Sequence, residues 1–158
     1  KSGKQGRIIL KMNALQDPAM IERLYEASQA GVKIDLIVRG ICCLIPGRKY
    51  SRNIRVTRIV DTFLEHARVW YFGNGGKPKL FLGSPDWMRR NLYRRIEAVT
   101  PILDPDLKRE LSDMLSIQLS DKRKACFVDD HLRNRWKSAR PQKEKIRSQY
   151  TFYEYLKG

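Results

Sequence analysis

No apolar run in this sequence approaches the roughly 20 residues that a membrane-spanning helix needs. The richest stretch, Ile34 to Pro46, is broken by Arg39 and Gly40. No charged-then-apolar leader opens the chain, so nothing marks it for secretion. Cysteine is scarce: Cys42, Cys43 and Cys126 are odd in number and lack metal-ligand spacing. This argues against a disulfide framework and for a reducing cytoplasm. No Walker motif, internal repeat or low-complexity tract occurs. Acidic residues are few, 17 against 32 Lys+Arg, which leaves a net charge of +15. A chain that basic seeks a polyanion: nucleic acid, an acidic membrane surface or a phosphate chain. Arginine outnumbers lysine 18 to 14, a lean toward bidentate recognition of phosphate or carboxylate. The chain opens at Lys1 without methionine, which suggests a segment of a longer polypeptide.

What is present describes one α/β domain over residues 1–158. A hydrophobic content of 42% is enough for a core. Arg7 to Met12 reads as a short buried strand, and Asp17-Pro18 as a helix N-cap with proline at the first helical position. Ile21, Leu24, Tyr25 and Ala27 line one face of that helix, and Gly31 closes it. Val32 to Val38 is a second strand, so the three elements predict a right-handed βαβ unit with parallel strands. Gly40 to Ile54 reads as a loop and Ile59 to Glu65 as one or two helical turns. Arg68 to Phe72 and Leu80 to Leu82 flank the hairpin signal Asn74-Gly75-Gly76. Arg95 to Val99 reads as a further strand. Asp104-Pro105 opens a helix with Leu107, Leu111, Met114, Leu115 and Leu119 on one side. Lys124 to Val128 closes the sheet as a last short strand. Residues from about 133 to 147 are basic and poor in apolar side chains, an exposed loop, and Tyr150 to Leu156 is an amphipathic closing helix. The expected architecture is a mixed, largely parallel sheet flanked by helices.

Three places could carry chemistry. Arg39 follows the second strand directly, and open parallel sheets bind ligands outside the carboxyl ends of their strands. Its planar fork of donors suits a phosphate; the alternative is an arginine that merely ends a strand and turns to solvent. His66, one of two histidines, can take or give a proton near neutral pH, although most lone histidines are satisfied structural residues. His131, beside two acids in a turn, carries no role. The stretch Gly83 to Asn91 supplies a hydroxyl, a carboxylate, two arginines and an amide after a strand. Such a loop can hold phosphate oxygens or can be a capped turn with Trp87 and Met88 packed inward. Arg94 and Arg95 follow it.

Taken together, Lys11-Met12-Asn13-Ala14-Leu15, Ile37 to Cys42, Phe63 to Arg68, and Asp86-Trp87-Met88 through Asn91 resemble bacterial polyphosphate kinases. Thr100 to Pro105 and the tail from Tyr150 to Leu156 fit as well, so the resemblance runs nearly end to end. It covers the second C-terminal domain of the phospholipase-D-like catalytic region. The resemblance implies two facing halves. ATP phosphorylates a histidine of the first half, and the phosphoryl group then passes reversibly to a polyphosphate chain. It implies that His66 is the second histidine, a general acid or base opposite that nucleophile. Arg39 becomes an ATP-phosphate-binding residue, and Arg95 another arginine on the nucleotide phosphates. It implies magnesium held mainly by regions outside this chain, partners in ATP/ADP, polyphosphate and the first catalytic half, and a homo-oligomeric parent. A cytoplasmic place follows, with room for peripheral association at the inner membrane. The phospholipase-D pattern has lysine two residues after histidine; here Arg68 stands there, and the later aspartate is absent. Polyphosphate kinases share this degenerate second copy, which weighs against a lipase or nuclease. With one such motif, the chain alone is expected to be catalytically inert. The competing reading is a basic nucleic-acid-binding module that uses Trp70-Tyr71-Phe72 and Tyr150 to Tyr155 as stacking platforms. It lacks a recognition-helix or RNP pattern.

Overall fold

The structure, a computed structural model, describes residues 6–138 and 146–158. Strand β1 (Arg7–Met12), helix α1 (Pro18–Gln29) and strand β2 (Lys33–Val38) form the expected unit, with β1 and β2 parallel and in register. The α1 start follows from its residues. Asp17 Oδ1 accepts the Met20 N–H at 3.0 Å, and Pro18 has no amide hydrogen to leave unpaired. Gly31 then turns the chain at φ +89°, a conformation that favours glycine.

Six further strands complete the sheet: β3 (Ile54–Ile59), β4 (Arg68–Phe72), β5 (Lys79–Gly83), β6 (Val99–Ile102), β7 (Ala125–Val128) and β8 (Asn134–Trp136). Their order is β6-β5-β4-β1-β2-β3-β7-β8. Only β1–β2 and β2–β3 pair in parallel; the other five pairings are antiparallel. The sheet is therefore mixed and mostly antiparallel, which corrects the expectation of largely parallel strands. Connection length accounts for the sequential hairpins β4–β5 and β7–β8. Parallel neighbours need a long crossover, whereas β4 and β5 are joined by a tight hairpin through Asn74, Gly75 and Gly76, all at positive φ.

Other boundaries move as well. Ile54–Ile59, between the expected loop and the expected helical turns, is a strand: its Ile54, Val56 and Ile59 are buried while Arg55 is exposed. Residues 60–67 contain no helical turn. The basic run Arg89–Arg94 is a short helix, α2, and the strand expected from Arg95 begins at Val99. Within the expected loop of 133–147, Asn134–Trp136 pairs with β7; residues 139–145 lie outside the described residues.

Strand alternation divides the core between the two sheet faces. Leu10, Met12, Leu36, Val38 and Val56 pack with Ile21 and Leu24 of α1 and with Trp87. Ile9, Ile37, Ile59 and Val69 pack on the other face against Met114 and Leu115 of helix α3 (Pro105–Ser120). Helix α4 (Ser148–Lys157) lies beside α3. The junction is made by Asp121, which is fully buried. Its Oδ1 accepts the N–H groups of Arg123, Lys124 and Ala125, and its Oδ2 accepts the amide and hydroxyl of Ser148. Asp121→Ala is expected to lower the unfolding free energy by about 2–3 kcal/mol, because buried donors are left without an acceptor. The check is a lower urea midpoint at unchanged denaturant slope.

Candidate functional site

The site lies where β1 and β2 end and β4 begins. After Met12 the chain bends sharply, and the N–H groups of Asn13 and Ala14 both point at Asp86 Oδ1, at 2.7 and 3.1 Å. Leu15 bridges in parallel fashion to both Cys42 and Trp87, which locks the loops after β1, β2 and β5 together. Gly40 is needed at this crossing. Its N–H donates to the Asn13 carbonyl at 2.8 Å, and a Cβ there would stand 3.1 Å from the same oxygen.

Asp86 is the hub of the site. Besides the two amides it accepts from Arg68, Nη2 to Oδ2 at 2.8 Å and Nε to Oδ1 at 3.3 Å, in a largely buried ion pair. Burial pushes its carboxyl upward, but Arg68 and the two backbone donors outweigh that and hold it below the usual carboxylate range. The other edge of the Arg68 guanidinium faces His66, with Nη1 at 2.9 Å from Nδ1 and 2.8 Å from the His66 carbonyl, and Nη2 at 3.2 Å from Nε2. A guanidinium is donor-only, so Arg68 orients the imidazole through whichever ring nitrogen presents a lone pair. The ring itself is exposed.

Arg39 is linked to the same hub. Its Nε donates to Asn13 Oδ1 at 2.9 Å, and it is half-buried. His66 and Arg39 thus reach Asp86 from two sides, one through Arg68 and the other through Asn13. Arg95 is exposed just beyond α2. It joins the site electrostatically: the Ser84 hydroxyl and the Asn91 carboxamide hold the Glu97 carboxyl below its ordinary range, and Arg95 and Arg68 add to that effect. Ser84 and Asn91 are therefore committed to Glu97, with Asn91 Nδ2 at 2.6 Å from Oε1 and Ser84 Oγ donating to Oε2.

A second network lies behind the histidine. Lys11, 5% exposed, pairs with Glu65 Oε2 at 2.7 Å. Gln118 donates to the same oxygen, and Gln149 Nε2 donates to Oε1 at 3.1 Å. With Met114 and Phe152 these residues line a cavity of about 300 Å³ that His66 borders.

A cluster of arginines with one exposed imidazole is equipment for phosphate oxygens and proton transfer. Comparison with known proteins gives the family. Residues 1–149 match the family described as Polyphosphate kinase C-terminal domain 2. The chain belongs to the polyphosphate kinase family. The polyphosphate kinase of Escherichia coli K12 is 46% identical over the whole chain, which corresponds to 23% of that protein. The crystal structure of polyphosphate kinase from Porphyromonas gingivalis superposes with a TM-score of 0.95 at 58% identity, covering 99% of this chain and 24% of that one. The chain thus spans about a quarter of the length of these relatives. Nuc, a phospholipase D family member from Salmonella typhimurium, aligns with a TM-score of 0.56 at 16% identity over 75% of this chain and 80% of its own. That likeness establishes the fold as phospholipase-D-like.

For a polyphosphate kinase domain, the sequence reading singled out Arg39, His66 and Arg95 but overlooked the residues that hold them. Asn13, Arg68 and Asp86 stood in the quoted motifs without an assigned role. Lys11, Glu65, Gln118 and Gln149 are brought together only by the tertiary fold. Glu97 had one local signal, a lone carboxylate directly after an arginine-rich run. No helix among the described residues is long and apolar enough to cross a membrane.

Proposed function

We propose that this chain is the second phospholipase-D-like catalytic half of a kinase that moves the terminal phosphoryl group of ATP onto polyphosphate. The observation that carries this reading is the exposed imidazole of His66 fixed by Arg68, with Arg39 bonded to Asn13, whose backbone N–H donates to the Asp86 carboxylate that pairs with Arg68. In the forward direction a histidine nitrogen outside this chain bonds to the γ-phosphorus, the bond to the β–γ bridging oxygen breaks, and ADP leaves. A terminal oxygen of polyphosphate then takes the phosphoryl group, the P–N bond breaks, and the polymer grows by one unit; the reverse sequence makes ATP. Phosphoryl transfer depends mainly on positioning and on neutralising charge spread over oxygens. Arg39 and Arg95 supply that charge. His66 serves as general acid or base opposite the nucleophile.

The donor set here does not suit magnesium. The carboxylates of the networks around His66 and Arg68, namely Glu65, Asp86 and Glu97, are each taken by lysine, arginine, hydroxyl or amide donors. Among the described residues no cluster of three metal-ligating side chains occurs. We therefore assign magnesium, as a cofactor of the whole enzyme, to residues outside this chain, and no step at His66 passes through it. The first catalytic half is the expected partner, within a homo-oligomeric cytoplasmic parent.

Polyphosphate is favoured over nucleic acid because two of the β4 aromatics are engaged by rings of the protein itself. Trp70 stands edge-on to Trp87 at 5.8 Å and Phe72 edge-on to Phe81 at 6.1 Å. The chain is expected to bind polyphosphate more tightly than single-stranded DNA at matched charge, with log affinity falling linearly in log salt for both. Titration by calorimetry checks this, and stronger binding to DNA would reverse the choice. With ATP and magnesium alone the chain is expected to form no labelled polymer.

A further inference from the structure

The loop that presents His66 has no regular structure of its own to hold it. Residues 60–67 make neither helix nor strand, and the large apolar side chains they carry face outward: Val60 is 63% exposed, Phe63 57% and Leu64 73%. Loops of this kind rely on polar contacts to rigid elements. Lys11 and Gln118 hold Glu65 and Arg68 holds the His66 carbonyl, but residues 61–63 are held from the start of α4, more than 80 residues away in sequence. Arg147 grips Asp61 with two bonds, Nη2 to Oδ1 at 2.6 Å and Nε to Oδ2 at 2.8 Å, and lies over the Tyr150 ring. Gln149 does more. Its Oε1 accepts the Phe63 N–H at 2.8 Å and its Nε2 donates to the Phe63 carbonyl at 2.8 Å, so one carboxamide satisfies both backbone groups, as a neighbouring strand would. The same Nε2 reaches Glu65, the residue before His66. Gln149 is only 9% exposed, so these bonds form away from bulk water.

We propose that Gln149 is a positioning residue: its carboxamide fixes the loop so that His66 stands where Arg68 can orient it for phosphoryl transfer. The proposal rests on the reading of His66 as the acid–base group. Gln149 touches no substrate on this view and acts only through Phe63 and Glu65. Catalytic geometry tolerates little error, since a displacement of about 1 Å from a remote change can cost about 10²-fold in rate.

The test uses two near-isosteric variants, Gln149→Met, which keeps length and loses all three bonds, and Gln149→Glu, which turns an oxygen toward the Phe63 carbonyl and Glu65. The chain contains only two histidines, so its imidazole 1H–13C spectrum is simple, and exposed His131 is an internal reference. Both variants are expected to shift or broaden the His66 resonance and leave that of His131 in place. In the full-length polypeptide they are expected to lower kcat about 10–100-fold with KM little changed. Leu24→Ala, a core truncation on the opposite sheet face, controls for stability and should leave kcat and the His66 signal as they are. An unmoved His66 resonance in both variants overturns the proposal, as does a kcat loss that Leu24→Ala reproduces. A moved resonance with unaltered kcat keeps the positioning by Gln149 and overturns the catalytic reading of His66 instead.

Discussion

His66→Gln in the full-length enzyme is expected to lower the rate of phosphoryl transfer by about 10²–10⁴-fold, the usual contribution of a positioned general acid or base. Arg39→Ala should cost a comparable factor, about 10²–10³, by removing a charged donor from the phosphate oxygens. Stability should scarcely change for the histidine variant. The ring is exposed, and surface replacements usually stay within about 0.5 kcal/mol. Initial rates in both directions, set beside thermal unfolding of each variant, make the measurement. If His66 served nucleic-acid binding or simple packing, the glutamine variant would retain its transfer rate.

Asp86→Ala should give the largest loss of stability of any change at the site, about 3–5 kcal/mol, because it leaves the buried Arg68 cation without its partner. It also strands the amides of Asn13 and Ala14. Asp86→Asn should lose less, since one oxygen can still accept from those amides. The same carboxyl makes stability depend on pH. Its folded-state pKa lies below its unfolded value, as does that of Asp61 beside Arg147. Each therefore stabilises the fold above the unfolded carboxyl value of about 3.9, and that contribution is lost as pH falls through the lower, folded value. Urea midpoints should hold steady from about pH 7 to 5 and then decline below about pH 4, less steeply for Asp86→Asn.

The parts of the fold that could be read from the chain are those with local signals. Asp17-Pro18 and Asp104-Pro105 mark helix starts because a carboxylate accepts the first free amides, and both do so. The β1-α1-β2 unit follows from its short turns. The remaining pairings depend on which strand lies beside which, and β4 slots next to β1 through contacts that no neighbouring residue announces. Ile54–Ile59 is masked by the loop residues before it and by Thr57 and Arg58, two adjacent polar residues that break its alternation. Ile59 to Glu65, read as one or two helical turns, instead divides between the end of β3 and an irregular segment. Gln149 takes the Phe63 backbone groups that a helix would have used internally. For the site, motif order pointed to Arg39 and His66, while Gln118 and Gln149 come from helices whose own patterns speak only of packing.

The contacts from Arg147 and Gln149 to residues 61–65 also set a timetable. A ribosome adding about 5–20 residues per second needs roughly 4–17 s to travel from codon 66 to codon 149. During that interval the strands around β1 can already pair, and Lys11 and Arg68 can reach Glu65 and His66, yet Asp61 and the Phe63 backbone still lack the partners that α4 brings. The loop would take its final place only once α4 had left the exit tunnel.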